Sequence, residues 1–91
     1  MTEVRRLLIS GVVQGVGFRH AMTTQARLLG VRGWVRNRRD GSVEAMIAGD
    51  AAQVDAMLAW SRIGPAGGSV EKLIVESATG EFADFELRAT V

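Results

Sequence analysis

The sequence predicts an α+β sandwich in which two helices pack on one face of a mainly antiparallel sheet of four to five strands. Segments with the alternation of strands are interspersed with segments that have the longer period of helices. Glycine or proline separates most of these segments. The predicted order is strand, helix, strand, strand, helix, strand and a short last strand, which matches the split βαβ, or ferredoxin-like, arrangement.

The first three segments predict a strand, a loop and a helix. Val4–Val13 is rich in β-forming residues, and its alternating apolar positions favour a strand. Gln14–Phe18 contains two glycines and predicts a loop. Arg19–Leu29 has a helical period, and Gly30 follows where a left-handed C-cap is expected. The positions that share the apolar face of this helix are Phe18, Met22, Ala26 and Leu29.

The second half of the chain predicts a hairpin and a second helix. Gly33–Arg38 and Ser42–Ala48 are paired strands in this interpretation, joined by a turn at Asp40-Gly41. Asp50 is placed to cap the second helix, and Gln53 completes a capping-box pattern. The remaining predicted features are a helix end at Gly64-Pro65, a strand at Val70–Glu76 and a short edge strand at Phe85–Leu87.

Composition limits the classes of protein that the chain can belong to. Its 91 residues are expected to form a single domain spanning 1–91, with 47% apolar and 23% charged residues, as in soluble globular proteins. A net charge of +1 does not favour nucleic-acid binding. The sequence has no cysteine, no apolar run long enough for a membrane span and no signal-peptide pattern. We therefore expect a cytoplasmic protein that has no membrane partner, and nothing in the sequence demands more than a monomer.

The segment from Gln14 to Arg19 is the candidate for chemistry. It joins a strand to a helix, where unpaired backbone N–H groups and the helix dipole favour an anion. Its glycines allow close approach to a ligand, and Arg19 can bind two phosphate oxygens at once. Many Gly-x-Gly loops are only tight turns, however, and this one matches neither the Walker A pattern nor the dinucleotide fingerprint. From these residues alone, an anion site and a plain turn both stay open.

Two longer stretches of sequence, one of which contains the loop, resemble the pattern of a known family. The segment from Gly11 to Arg19, Gly-Val-Val-Gln-Gly-Val-Gly-Phe-Arg, closely resembles the first signature of the acylphosphatase family. Gly-Trp-Val-Arg-Asn, ending at Asn37, and Asp-Gly-Ser-Val-Glu, ending at Glu44, resemble the second. The resemblance runs in order from about Leu7 to Arg88, and it includes Gly49, Trp60, Gly64-Pro65 and Gly80-Glu81-Phe82. Ala21 departs from the family, in which larger and often aromatic side chains are common at this position.

The resemblance implies an enzyme that hydrolyses acyl phosphates to a carboxylate and inorganic phosphate without a metal or a cofactor. It implies that Arg19 binds the phosphoryl group and that Asn37 positions the attacking water. The loop residues expected to bind substrate through their backbone amides are Gln14, Gly15, Val16, Gly17 and Phe18. The chemistry is consistent with these residues, because a carboxylate leaving group departs without a general acid and phosphoryl transfer relies on charge stabilisation and positioning.

Strand alternation makes a geometric prediction about Asn37. It should lie on the same side of the sheet as Val35, opposite Trp34 and Arg36, and so face the helix layer near Arg19. A side chain pointing away from Arg19 would contradict the mechanism.

Several other residues are given simpler interpretations. His20, the only histidine, is expected to be a solvated residue at a helix start, although its position beside Arg19 leaves a role in acid–base chemistry open. The acidic residues lack the spacing of a metal cluster. Trp34, among the arginines at 32, 36, 38 and 39, could stack on RNA, but the preferred interpretation is a solvated outer sheet face on which Trp34 packs over arginine stems.

Two alternative functions stay open at this point. One is a phosphate- or carbamoyl-phosphate-binding module of a larger maturation protein, which the chain's end at Val91 disfavours. The other is a ferredoxin-like interaction domain without catalysis, which the pairing of Arg19 with Asn37 disfavours.

Overall fold

All seven predicted elements are present in the computed structural model, which describes residues 1–91. Most of their observed ends differ from the predicted ends by a single residue. The elements are β1 (Glu3–Val12), α1 (Phe18–Leu29), β2 (Arg32–Asn37), β3 (Val43–Gly49), α2 (Ala51–Ile63), β4 (Ser69–Ser77) and β5 (Phe85–Leu87).

The strands form one mixed sheet in the order β4-β1-β3-β2-β5. β3 is antiparallel to both of its neighbours, β1 and β2, and only β5 is parallel to its neighbour, β2. Because β1 and β2 both run opposite to β3, their carboxyl ends lie at the same edge of the sheet. The register places Ile9 of β1 and Asn37 of β2 at the same position along the sheet, because both lie opposite Val43.

The main core lies between the sheet and the two helices. β3 contributes Val43, Ala45 and Ile47, each fully buried, as its predicted alternation requires. On α1 the predicted apolar face is confirmed except at Leu29, which is only partly buried. Fully burying a valine, leucine, isoleucine, methionine or phenylalanine side chain stabilises a fold by about 1.5–3 kcal/mol. The other members of this core include Leu7, Ile9, Val13, Phe18, Met22, Ala26, Val35, Val54, Met57 and Phe85.

The ends of the helices follow the predicted signals. Gly30 ends α1, and Asp50 caps α2 in a complete capping box. The Asp50 carboxylate accepts a hydrogen bond from Gln53 N at 2.8 Å, and Gln53 Oε1 accepts one from Asp50 N at 2.9 Å. Gln53 Nε2 also donates to Leu29 O at 3.0 Å, which links the start of α2 to the end of α1. Neither helix is long and apolar enough to span a membrane.

The outer face of the sheet is less solvated than the sequence suggested. Val4, Met46 and Ala48 form a second buried cluster there, and the partly buried side chains of Trp34, Ala78 and Phe82 pack against it. β3 is therefore buried on both faces along its whole length. The expectation of a solvated outer face was wrong at this strand, because the segment after β4 contributes Ala78 and Phe82 to that side.

Glu44 is the centre of an ionic cluster on this outer face. Only 6% of the residue is exposed, and its carboxylate accepts hydrogen bonds from Arg6 Nε at 2.8 Å and Arg36 Nε at 2.7 Å. Arg6 also contacts Glu76 at 2.7 Å. Burial alone would raise the pKa of Glu44, but the hydrogen bonds from Arg36 and Arg6 outweigh burial, so the pKa lies below its ordinary value of 4.5.

We predict that Glu44→Gln destabilises the fold in a pH-dependent way. A carboxylate whose pKa is lowered by folding contributes stability above its unfolded pKa and loses it as the pH falls through the folded pKa. The difference in unfolding free energy between wild type and variant should thus be about 1–3 kcal/mol at neutral pH and shrink below about pH 4.5. Urea unfolding across this range measures it. Glu71→Gln, which removes an exposed carboxylate without an ion pair, is the control, and a difference that does not vary with pH would contradict the prediction.

Candidate functional site

The loop between β1 and α1 is shaped by two glycines in the left-handed conformation. Gly15 has a φ of 73° and Gly17 a φ of 76°, values that residues with a side chain rarely adopt. A Cβ atom built on either glycine would meet no atom within 4 Å, so the backbone angle rather than a lack of space requires glycine. The backbone N–H groups of residues 14–17 donate no hydrogen bond within the protein. They are therefore free to bind an anion.

The start of α1 is electrostatically suited to a negative ligand. Gly17 occupies the N-cap position without any side-chain hydrogen bond to the helix, and the first turn contains no acidic residue. The unpaired amides of the first turn and the helix dipole together carry roughly half a positive charge. Arg19, in that first turn, adds a full positive charge.

A cavity of about 190 Å³ brings the candidate residues together. Arg19 and Asn37, which are far apart in the sequence, both line it. The predicted orientation of Asn37 toward the helix layer is therefore confirmed. Val16 is the one loop residue that does not line the cavity, because its side chain packs against the core. The lining consists of Val13, Gln14, Gly15, Gly17, Phe18, Arg19, His20 and Asn37.

The Arg19 guanidinium is held at the edge of the cavity by a backbone carbonyl. Its Nη1 donates to Arg88 O at 3.3 Å, just beyond the end of β5. A guanidinium has five N–H donors, so this single bond leaves four of them for a ligand. The bond directs the side chain toward the end of β5 while most of its hydrogen-bonding capacity stays available.

Asn37 has the only buried side-chain polar atom without a partner in the protein. Its Oδ1 is inaccessible to solvent and accepts no hydrogen bond. Leaving such an atom unsatisfied costs about 1–3 kcal/mol, so native proteins usually avoid it outside functional sites. The backbone of Asn37 is well anchored, since its carbonyl accepts a hydrogen bond from Val91 N at 3.1 Å. The backbone thus holds Asn37 in the lining of the cavity, while its side-chain oxygen has no hydrogen-bond partner.

Gln14 has a supporting role that its sequence position did not reveal. Its Nε2 donates to Arg38 O at 2.7 Å and to Ser42 O at 2.9 Å. These carbonyls flank the turn that follows Asn37. Gln14 therefore ties the loop before α1 to the β2–β3 turn, and its side-chain donors are not free for a ligand.

Sequence reasoning missed the residues at the end of the chain. Arg88 O contacts Arg19, while Val91 is paired through its backbone with both Asn37 and Arg39. These contacts use main-chain atoms, so no side-chain pattern could have indicated them. His20 lines the cavity and is exposed, as expected for a solvated residue at a helix start.

The rest of the surface contains no second cluster of the candidate residues. A larger cavity of about 570 Å³ lies on the outer face beside Val4, Ala48 and Phe82, and it contains none of the candidate residues. No group of three or more histidine, cysteine or acidic side chains is arranged to hold a metal ion. Arg36 is paired with Glu44, and both Arg36 and Arg88 stack on Trp34.

Fold and site together define a class of protein, the small ferredoxin-like sandwiches with an uncapped glycine loop at the start of the first helix. The sequence model of the acylphosphatase family matches residues 5–87. An acylphosphatase from Albidiferax ferrireducens is 48% identical over 83 residues, which cover 91% of this chain and 90% of the relative. One from Cupriavidus pinatubonensis is 45% identical over 89 residues, covering 98% and 99%. The chain belongs to the acylphosphatase family.

Solved structures confirm the ferredoxin-like fold. An acylphosphatase from Coxiella burnetii has a TM-score of 0.92 at 30% identity, covering 96% of this chain and 93% of its own. The acylphosphatase from Bacillus subtilis has a TM-score of 0.90 at 28% identity, covering 97% and 99%. Full-length HypF, in a phosphate- and nucleotide-bound form, has a TM-score of 0.91 at 22% identity, but the match covers only 12% of that chain. The likeness to HypF is one of fold alone.

We predict that Gln14→Met destabilises the fold and weakens phosphate binding. Methionine has a similar length but cannot donate, so Arg38 O and Ser42 O lose a partner and the turn after Asn37 loosens. The expected loss in unfolding free energy is about 1–3 kcal/mol, for two hydrogen bonds. Urea unfolding and a phosphorus NMR titration with inorganic phosphate provide the measurements.

The matched control for this prediction is Gln25→Met, because the Gln25 side chain forms no hydrogen bond within the protein. If the two variants were equally stable and bound phosphate equally well, the supporting role of Gln14 would be wrong.

Proposed function

We propose that the loop Gln14–Arg19 binds the phosphoryl group of an acyl phosphate and that Asn37 orients the water that attacks it. The reaction itself, hydrolysis to a carboxylate and inorganic phosphate, follows from membership of the acylphosphatase family. One observation carries the assignment of residues: the uncapped start of α1, Arg19 and the buried free acceptor of Asn37 line a single cavity.

The loop is suited to the charge of the phosphoryl group. The amides of residues 14–17 have no partner within the protein, and the first turn of α1 and Arg19 add positive charge beside them. In phosphoryl transfer the charge is spread over the non-bridging oxygens, so preorganised donors around them stabilise the transition state. Val16 takes part through its backbone N–H, since its side chain packs against the core.

Asn37 is suited to the attacking water. Its Oδ1 is buried in the structure, and rotation of the side-chain amide about its terminal torsion would present this oxygen to the cavity. There it accepts a hydrogen bond from water and directs an oxygen lone pair of that water toward phosphorus. A neutral amide avoids the repulsion that a carboxylate would feel beside a phosphate. The water oxygen forms a new bond to phosphorus as the bond between phosphorus and the acyl oxygen breaks. The electron pair of the broken bond stays on the carboxylate, and the water proton passes to phosphate or solvent.

The size of the cavity fits this assignment. Its volume of about 190 Å³ is far above the roughly 10–15 Å³ that one water needs on the same measure, so it has room for a phosphoryl group and one water. The acyl group then projects toward solvent and leaves as a carboxylate, which needs no general acid. No step requires a metal ion or a cofactor.

A second candidate function is phosphate binding without turnover. The free amides of the loop and the Arg19 guanidinium would hold inorganic phosphate whether or not hydrolysis follows, and this is the observation that favours it. Turnover of an acyl phosphate distinguishes the two candidates, because a binding module would bind inorganic phosphate and leave the hydrolysis rate at its spontaneous value.

We predict that Asn37→Ala lowers kcat for benzoyl phosphate by a factor on the order of 100, and that Arg19→Ala lowers kcat and also raises KM. The first value corresponds to the loss of one preorganised group, about 3 kcal/mol of barrier. Arg19 contributes to binding and to the transition state alike. Benzoyl phosphate hydrolysis in the presence of EDTA measures both parameters, and wild-type turnover should be unaffected by the chelator.

Arg62→Ala is the matched control, because Arg62 is an exposed arginine on α2 outside the cavity. Wild-type kinetics in a folded Arg19→Ala or Asn37→Ala variant would contradict the site. No turnover by the wild type, together with phosphate binding, would favour the binding module.

We also propose that the chain acts as a monomer in the cytoplasm on a small-molecule acyl phosphate, without nucleic acid or membrane as a partner. The proposed site needs no second copy to complete it, because the loop, Arg19 and Asn37 already meet in one cavity, and this is consistent with a monomer. Arg36 is occupied by Glu44, which disfavours nucleic acid at the strand around Trp34. Light scattering after size-exclusion chromatography tests the oligomeric state.

A further inference from the structure

We propose that Trp34, on the face of the sheet opposite the helices, is a positioning residue for Arg19 and acts through Arg88. This inference rests on the proposed role of Arg19 in binding the phosphoryl group. Trp34 does not line the cavity. Its influence would travel along two contacts, one through a side chain and one through the backbone.

The first contact is the stacking of Arg88 on Trp34. The Arg88 guanidinium carbon lies 4.9 Å from the centre of the Trp34 ring, within the range of a cation–π interaction. Trp34 is itself fixed, because it packs against the buried cluster of Val4, Met46 and Ala48. Arg36 also stacks on the ring, at 4.6 Å, and is held by the buried carboxylate of Glu44. The ring is thus a firm support for Arg88.

The second contact passes from Arg88 to Arg19. Arg88 N donates to Val35 O at 2.8 Å, and Arg88 O accepts from Arg19 Nη1 at 3.3 Å. One residue therefore stacks its side chain on the outer face and presents its carbonyl to the cavity. Few other contacts hold Arg88, which follows the last residue of the edge strand β5. Its ion pair with Glu86 joins side chains that are 44% and 56% exposed, so this pair contributes little.

The consequence is that Arg19 is ordered before the substrate arrives. A long side chain that must be immobilised on binding weakens affinity by about two- to tenfold. The carbonyl of Arg88 reduces this loss by holding the guanidinium beside the cavity. If Arg88 is released from Trp34, its carbonyl moves more freely, and Arg19 must be ordered by the ligand instead.

The experiment compares dissociation constants for inorganic phosphate, measured by phosphorus NMR, and KM and kcat for benzoyl phosphate. The variants are Trp34→Leu, Trp34→Phe, Arg88→Met and the double variant Trp34→Leu/Arg88→Met. Phenylalanine keeps an aromatic face for Arg88, so it should restore most of the wild-type affinity. Arg6→Met is the matched control, since Arg6 pairs with Glu44 on the same face but does not stack on Trp34. Urea unfolding confirms that each variant is folded under assay conditions.

We expect Trp34→Leu and Arg88→Met to weaken phosphate binding and raise KM by about two- to tenfold. The change in kcat should be small, because Arg19 takes up the same position once the bound ligand has ordered it. The double variant should lose no more than either single variant, because both remove the same contact. Wild-type affinity in folded Trp34→Leu, additive losses, or an equal loss in Arg6→Met would each overturn the inference. Arg19→Ala distinguishes failure of the inference about Trp34 from failure of the proposed function. If the Arg19→Ala variant binds phosphate as tightly as wild type, the proposed role of Arg19 is wrong as well.

Discussion

The site depends on β3, the central strand that pairs in antiparallel fashion with both β1 and β2. This pairing brings the carboxyl ends of β1 and β2 to one edge of the sheet, with Ile9 and Asn37 on either side of Val43. The loop that leaves β1 and begins α1 therefore lies beside the end of β2. β3 is buried on both faces, which fixes its register. A slip of one residue in β2 would turn Asn37 to the outer face and separate it from Arg19.

The two helices differ in how the backbone N–H groups at their starts are satisfied. The start of α2 is satisfied internally, because Asp50 and Gln53 exchange hydrogen bonds in a capping box. The start of α1 has a glycine at the N-cap and no side-chain cap. The buried Oδ1 of Asn37 is likewise unsatisfied. These two unfavourable features occur in one cavity, where bound phosphate and water would satisfy both.

Much of this arrangement could be predicted from the sequence, because it depends on local signals. The glycines around residue 16, the capping box of α2 and the alternation around Val35 each specify a backbone conformation or a side-chain direction. The alternation alone placed Asn37 on the correct face. The supporting contacts could not be predicted, since the carbonyls of Arg38, Ser42 and Arg88 accept hydrogen bonds regardless of residue type. The second buried cluster was missed because its cover, Ala78 and Phe82, comes from an irregular segment.

The central claim is that one cavity binds the phosphoryl group between the start of α1, Arg19 and Asn37. A crystal structure with inorganic phosphate bound tests it most directly. The account predicts phosphate oxygens within hydrogen-bond distance of the loop amides and the Arg19 guanidinium, with a water on Asn37 Oδ1 beside phosphorus. Phosphate bound on another surface, or an Asn37 side chain turned away from the bound ion, would contradict it.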